Sequence, residues 1–194
     1  MSVRGVVYSA LFAALFLVLS FVRVPLPGTP VPVVLENFVA MLAGAVLGPV
    51  YGFLSMFLVV VLTALGVPML GGSGGIGVLL SYTGGYVIAW PFSALLIGLL
   101  LRKVRGRSTW TFIRTAVVVV VFGMLLPYVT GVPWFAHVAK VSLGKAMTLA
   151  CYPYLPGDLL KAVLVTIIAV PVRAVYPVDR WLKQGGSAVV KGEA

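Results

Sequence analysis

A succession of long apolar runs constrains this chain more than any other feature. Runs near 20 residues are long enough to cross a bilayer as helices. Only 9% of the residues are charged, whereas a soluble surface needs about 25%. We therefore predict an all-α membrane protein whose residues 1–194 form a single integral membrane domain. Six transmembrane helices are predicted, at Val3–Val22, Val34–Leu47, Val50–Leu65, Gly85–Leu101, Trp110–Thr130 and Asp158–Tyr176.

The basic residues predict the orientation of these helices. Cytoplasmic loops carry an excess of Lys and Arg, and an even helix count returns the chain to its starting side. We therefore predict that both the N and C termini are cytoplasmic. The first helix is predicted to be retained, because its run is long and no A-x-A-like cleavage site follows it. The cytoplasmic set is Arg4, Arg102, Lys103, Arg105, Arg107, Arg114, Arg173, Arg180, Lys183 and Lys191; the outer set is Arg23, Lys140, Lys145 and Lys161.

Two irregular segments fall on the predicted outer side. "RVPLPGTPVP" (Arg23–Pro32) has four prolines in ten residues and cannot be helical. "GVPMLGGSGGIGVLLSYTGGY" (Gly66–Tyr86) has eight glycines, which disfavour any regular element. Its apolar residues, such as Val78 and Leu80, need cover, and a glycine backbone lets a solute approach closely. We predict that Gly71–Gly85 is a Gly-rich extracellular lid loop.

Two acidic residues lie where a charge is costly. Glu36 and Asp158 each open a predicted helix at the outer boundary, where ionisable groups usually face a cavity; Asp179 and Glu193 fall in the cytoplasmic tail. For Asp158 two interpretations stay open. It caps the helix and pairs locally with Lys161, three residues on, or the two form a polar patch in a ligand pocket.

A rival hypothesis comes from a different class of protein. "GGSGG" matches G-x-S-x-G and His137 is the one histidine, so Ser73 and His137 are candidates for an intramembrane serine protease. The flanking sequence lacks the strand–turn–helix pattern that exposes such a serine. We therefore expect no catalytic residues. Ser73→Ala discriminates the two classes, since it abolishes a protease but leaves a binding protein most of its affinity.

Other partners are disfavoured by the sequence. The net charge of +10 is concentrated at the ends of apolar runs, which indicates lipid headgroups and topology rather than nucleic acid. The single cysteine, Cys151, and the absence of metal-binding or phosphate-binding motifs predict no metal and no cofactor. In the first helix, Ala10 and Ala14 form a small-residue stripe on which another helix can pack closely.

Three stretches occur in an order that resembles the BioY family, the biotin-specific S components of energy-coupling factor (ECF) transporters. They are "VPVVLENFVAMLAGAVLGPVYG" (Val31–Gly52), "GVPMLGGSGGIGVLLSYTGGYVIAWP" (Gly66–Pro91) and "PYLPGDLLKA" (Pro153–Ala162). The resemblance runs from the first helix to the sixth. The chain departs from the family pattern at Glu36, where the family tends to have Gln, and at Tyr82, where it tends to have Pro.

The resemblance implies a six-helix, multi-pass plasma-membrane protein that captures biotin from outside with high affinity. Such a protein is a transport subunit, not an enzyme, and works with a transmembrane coupling subunit and two ATPase subunits. An S component for another small vitamin is the alternative within transport. The implied docking residues for the coupling subunit are Ala10 and Ala14. The implied biotin contacts are Asp158, Lys161, Tyr86, Glu36, Ser73, Thr83, Trp90 and Tyr154, with the end of biotin that each meets left open.

Overall fold

The computed structural model describes residues 2–175, which are mostly helical. Two short strands pair antiparallel, with Arg23 opposite Val34 and Val24 opposite Val33. A π-helical segment, Val120–Leu125, joins two of the helices, and a 3-10 turn, Tyr152–Tyr154, precedes the last one. The elements are α1 (Val3–Ser20), β1 (Arg23–Val24), β2 (Val33–Val34), α2 (Glu36–Ala64), α3 (Ile76–Leu79), α4 (Gly84–Leu101), α5 (Thr109–Val119), α6 (Leu126–Ala139), α7 (Leu143–Ala150) and α8 (Leu155–Val175).

Within the described residues, five helical runs are long and apolar enough to cross a membrane, and one of them folds back on itself. Gly48 inside α2 has φ 80° and ψ −174°, and Pro49 follows it. A Cβ placed on Gly52 would lie 2.9 Å from the Cα of Gly44, although eight residues of straight helix span about 12 Å. The α2 segment is therefore a hairpin of two arms, and the chain makes six passes, as predicted.

The predicted boundaries need correction at several helices. The second helix begins at Glu36 rather than Val34, because Val33–Val34 pairs with β1. The fifth is longer than Trp110–Thr130, since helical structure continues from Thr109 to Ala139. Lys140 then ends the run in the left-handed conformation, with φ 53°.

The glycine-rich segment is more structured than the sequence predicts. Leu70 and Ser73 form an isolated bridge, α3 follows, and Gly84 and Gly85 already belong to α4. The segment is held at both ends: Gly71 N donates to Ser20 Oγ at 2.9 Å, and Trp134 Nε1 donates to the Ser81 carbonyl at 2.9 Å. Gly84 and Gly85 leave room for the Trp134 side chain, because a Cβ at Gly85 would come within 2.5 Å of Trp134 Cβ.

The two ends of the molecule differ in chemistry. One, the loop end, carries the proline-rich and glycine-rich segments together with the outer basic set. At the opposite end, Ser2 N donates to Tyr51 Oη at 2.8 Å, and the connector Arg102–Arg107 follows α4. Tyr176, Asp179, Arg180, Lys183, Lys191 and Glu193 lie outside the described residues, and which end faces the cytoplasm stays a prediction.

Candidate functional site

A cavity of about 390 Å³ lies at the loop end, within the size range of small-molecule sites. Its walls come from the β1–β2 region, the start of α2, the glycine-rich segment, α4, the π-helical segment and α8. All eight residues named as ligand contacts from the sequence line it: Asp158, Lys161, Tyr86, Glu36, Ser73, Thr83, Trp90 and Tyr154. The fold thus brings them together, and their contacts with a ligand stay a prediction.

One wall is a cluster of four polar side chains around Asp158. Its Oδ1 accepts from Lys161 Nζ at 2.8 Å and from Asn37 Nδ2 at 2.9 Å, and its Oδ2 accepts from Tyr128 Oη at 2.5 Å. Lys161 Nζ also donates to Asn37 Oδ1 and to the Val34 carbonyl. Both charged residues are buried, so these partners offset the cost of removing the charges from water.

Asp158 is not the cap of its helix. Helix α8 begins three residues earlier, at Leu155, and the Asp158 carboxylate bonds to side chains rather than to first-turn N–H groups. The ion pair with Lys161 is present, but both residues also face the cavity. The cap interpretation is therefore wrong for Asp158.

A second charged pair lies on the other side of the α2 N-terminus. Arg23 Nη2 donates to Glu36 Oε1 at 3.0 Å, with the Glu36 side chain 5% exposed and that of Arg23 33% exposed. Arg23 Nε also donates to the Ser20 carbonyl at 3.0 Å. Glu36 and Asn37 are consecutive residues at the start of α2. Glu36 belongs to the pair with Arg23 and Asn37 to the Asp158 cluster, so the start of this helix connects the two charged groups of the cavity.

Aromatic side chains supply the apolar surface. The Tyr86 and Tyr128 rings meet edge to face, with centroids 5.9 Å apart, and Tyr86 Oη donates to the Ala150 carbonyl at 2.7 Å. Trp90 is buried and packs edge-on against Phe16, centroid to centroid 5.3 Å. Such rings cover apolar ring systems while leaving the polar groups to fix orientation.

The proline-rich segment closes one side of the cavity. Val31, Pro32 and Val34 line it. Tyr154 Oη bonds to the Val31 carbonyl and to Thr29 Oγ1, so the 3-10 turn before α8 holds this segment in place.

The Ser73–His137 hypothesis finds no support in the geometry. Ser73 lines the cavity, but His137 is an exposed residue of α6 that does not. Within residues 2–175 no hydrogen bond joins the two side chains, which a Ser–His nucleophile requires.

Three members of the two charged groups are not predicted as site residues from the sequence: Asn37, Tyr128 and Arg23. Asn37 directly follows the predicted Glu36, and Tyr128 lies just beyond the π-helical segment, next to Pro127. A π segment inside a helix often marks a functional site, but it does not show in the sequence. A polar residue inside an apolar run is the one signal available for Tyr128.

Comparisons with known proteins agree with this architecture. A family model described as "BioY family" matches residues 1–178. "Biotin transporter BioY" of Lactococcus lactis subsp. cremoris (strain MG1363) is 33% identical over 186 residues, covering 95% of this chain and 93% of that protein. "Probable biotin transporter BioY" of Bacillus subtilis (strain 168) is 37% identical over 182 residues, covering 91% and 95%.

A solved structure has the same fold. It is described as the S-component for biotin from an ECF-type ABC transporter, and it matches with a TM-score of 0.82 and 33% identity over 88% of this chain and 91% of that one. With its membrane-spanning helices, this chain is a multi-pass membrane protein. Family model, relatives and fold agree along nearly the whole length, and the chain belongs to the BioY family.

Proposed function

We propose that this protein captures biotin at the loop end and serves as the substrate-binding S component of an ECF transporter. The observation that carries the proposal is the cavity at that end, which combines buried charged groups with aromatic walls in a chain of the BioY family. The protein acts by binding and not by catalysis. A transmembrane coupling subunit and two ATPase subunits supply the energy.

The Asp158 cluster suits the ureido ring of biotin, which has two N–H donors and one carbonyl acceptor. Asp158 Oδ2 accepts one hydrogen bond within the protein, and a carboxylate oxygen has room for another. Charge-assisted bonds of this kind are the strong ones. Asn37 Nδ2 has a second N–H for the ureido oxygen, since an amide nitrogen carries two. Lys161 holds both groups in position and balances the charge.

The aromatic side chains suit the remainder of the ligand. Tyr86, Trp90 and Tyr154 offer apolar faces to the thioether ring and the aliphatic chain. Thr83 and Ser73, from the glycine-rich segment, add hydroxyl groups to the same cavity.

The test is to purify the protein and identify the co-purifying small molecule by mass spectrometry. Biotin is the expected result, and titration calorimetry on the stripped protein then measures its affinity. Recovery of thiamin or riboflavin would identify that vitamin, and not biotin, as the ligand. Absence of any bound vitamin, with no heat on titration with biotin, would refute the proposal.

A further inference from the structure

The Arg23–Glu36 pair has hydrogen-bonding capacity that the protein does not use. A guanidinium has five N–H donors; those of Arg23 that have acceptors among residues 2–175 point to the Ser20 carbonyl and to Glu36 Oε1. Glu36 Oε2 accepts no hydrogen bond from the described residues, although Glu36 is 4% exposed. Both residues line the cavity. The pair therefore offers donors and an acceptor side by side.

Packing fixes the pair in this arrangement. Gly71 lies directly against the guanidinium, since a Cβ at Gly71 would come within 2.0 Å of Arg23 Nε. Glu36 is fixed as the first residue of α2. Its neighbour Asn37 belongs to the Asp158 cluster, and both charged groups line the same cavity, so a ligand held at that cluster has Arg23 and Glu36 as a second polar group within the cavity.

We propose that this pair recognises the chain end of the ligand and accepts an amide there as readily as a carboxylate. The inference rests on the proposed function. An unpaired Arg23 would favour a carboxylate, but the Glu36 side chain that it bonds weakens that preference and, when ionised, places a like charge next to any acid. An amide satisfies both groups, because its carbonyl accepts from Arg23 and its N–H donates to Glu36 Oε2. The ligand class therefore includes biotin joined to an amine through an amide bond.

The experiment compares dissociation constants for biotin and biotinamide by titration calorimetry on the purified wild-type protein and two variants. For the wild type, we expect the dissociation constants for biotin and biotinamide to differ by less than about tenfold. Glu36→Gln leaves Arg23 as a net positive charge and shifts the preference toward biotin by about tenfold or more, since nearby charges interact strongly there. Arg23→Gln shifts the preference toward biotinamide. Lys145→Gln, on the exposed side of α7, is the control for net charge and leaves the ratio unchanged.

An unchanged ratio in folded Glu36→Gln, with biotin still bound, overturns this inference alone. Loss of all biotin binding by the wild type overturns the proposed function as well. Should the variants fail to fold, the wild type still decides with biotin methyl ester, which keeps the carbonyl but has no N–H. The ester is expected to bind about fivefold more weakly than the amide, and equal binding contradicts the role of Glu36.

Discussion

At the scale of single residues, the site depends on how its buried charges are satisfied. Asp158 accepts from three side chains, and each of the three comes from a different helix: Asn37 from α2, Tyr128 from α6 and Lys161 from α8 itself. Leaving a buried charge without its partner costs far more than the intact pair gains. We therefore expect single substitutions at the cluster to reduce ligand binding strongly.

We predict that Asp158→Asn and Lys161→Ala each weaken biotin binding while the protein stays folded in the membrane. Losing one charged partner in a dry pocket costs about 2–5 kcal/mol, or roughly 30- to 5,000-fold in affinity. Titration calorimetry measures both variants. Lys145→Ala, an exposed lysine on α7, is the matched control. Wild-type affinity in both site variants would show that Asp158 and Lys161 form a structural ion pair that does not contribute to biotin binding.

Sequence alone could identify the charges of this site but not their polar partners. Glu36, Asp158 and Lys161 stand out because ionisable groups are rare in apolar runs. Asn37 and Tyr128 do not, because their role depends on where α2, α6 and α8 meet. That convergence follows from packing between residues more than 100 positions apart, such as Asn37 and Asp158.

At the scale of elements, α1 presents two different faces. Gly5, Ser9, Ala13, Phe16 and Ser20 are buried against the rest of the protein. Ala10 and Ala14 are exposed on another face of the same helix. This is the position that a docking stripe for a second membrane protein requires, because close helix approach depends on small side chains.

We predict that replacing Ala10 and Ala14 with Trp blocks docking on the coupling subunit and leaves biotin binding intact. Bulky rings on the stripe keep a partner helix away. Co-purification of the coupling subunit measures docking, and calorimetry measures biotin binding. The control replaces Leu11 and Leu15 with Trp, because these residues have the same spacing and are also exposed. It is expected to keep more of the coupling subunit than the Ala10/Ala14 variant. Full co-purification with the Ala10/Ala14 variant would count against this interface.

The glycine-rich segment is the element most suited to respond to ligand. Its short helix α3 has no buried residue, and its attachments to Ser20 and Trp134 lie near its two ends. Gly77 and Val78, which lie between these attachments, line the cavity, as does Ser81. A bound ring system would cover surface that α3 leaves open.

We predict that biotin slows amide hydrogen exchange across residues 71–85. Ordering costs roughly 1–2 kcal/mol per residue, so ligand contacts must offset this cost and the segment loosens without them. Exchange measured with and without biotin reports slow opening directly. The part of α4 beyond the cavity, residues 92–98, serves as the internal control. Equal exchange in both states would mean that the attachments already fix the segment and that it is not a lid.

At the scale of the whole molecule, a single arginine joins three helices at the opposite end. Arg173 on α8 donates from Nη1 to the Ala45 carbonyl at 2.5 Å and from Nη2 to the Leu101 carbonyl. These acceptors lie near the C-terminal ends of the first α2 arm and of α4, where a cation is favourable. The arginine thereby ties together helices that carry the site at the loop end.

We predict that Arg173→Met lowers the thermal stability of the detergent-solubilised protein. Each hydrogen bond from a charged donor is worth about 1.5–3 kcal/mol, and the buried carbonyls lose their partner. A melting curve followed by circular dichroism measures the change. Lys103→Met, at an exposed position of the basic connector, should melt like the wild type. A variant at Arg173 that also melts like the wild type would show that the other contacts hold these helices.

The six passes could be predicted from hydropathy, since Gly48–Pro49 breaks the run between residues 34 and 65. The packing of the passes could not. Gly44, Gly52 and Gly98 allow backbones to meet, with a Cβ at Gly98 coming within 2.4 Å of Gly48. A glycine in an apolar run gives no indication of which other glycine it faces.

The hairpin at Gly48 sets the depth of the binding site in the bilayer. Its first arm, 36–47, holds Glu36 and Asn37 at its start and is about 18 Å long, whereas the hydrocarbon layer is about 30 Å thick. With Gly48 at one face of this layer, a molecule bound beside Asn37 lies about 12 Å inside the opposite face before any partner acts. The distance left to the other face is the length of the first arm, about 18 Å, and this short arm is largely covered by neighbouring helices.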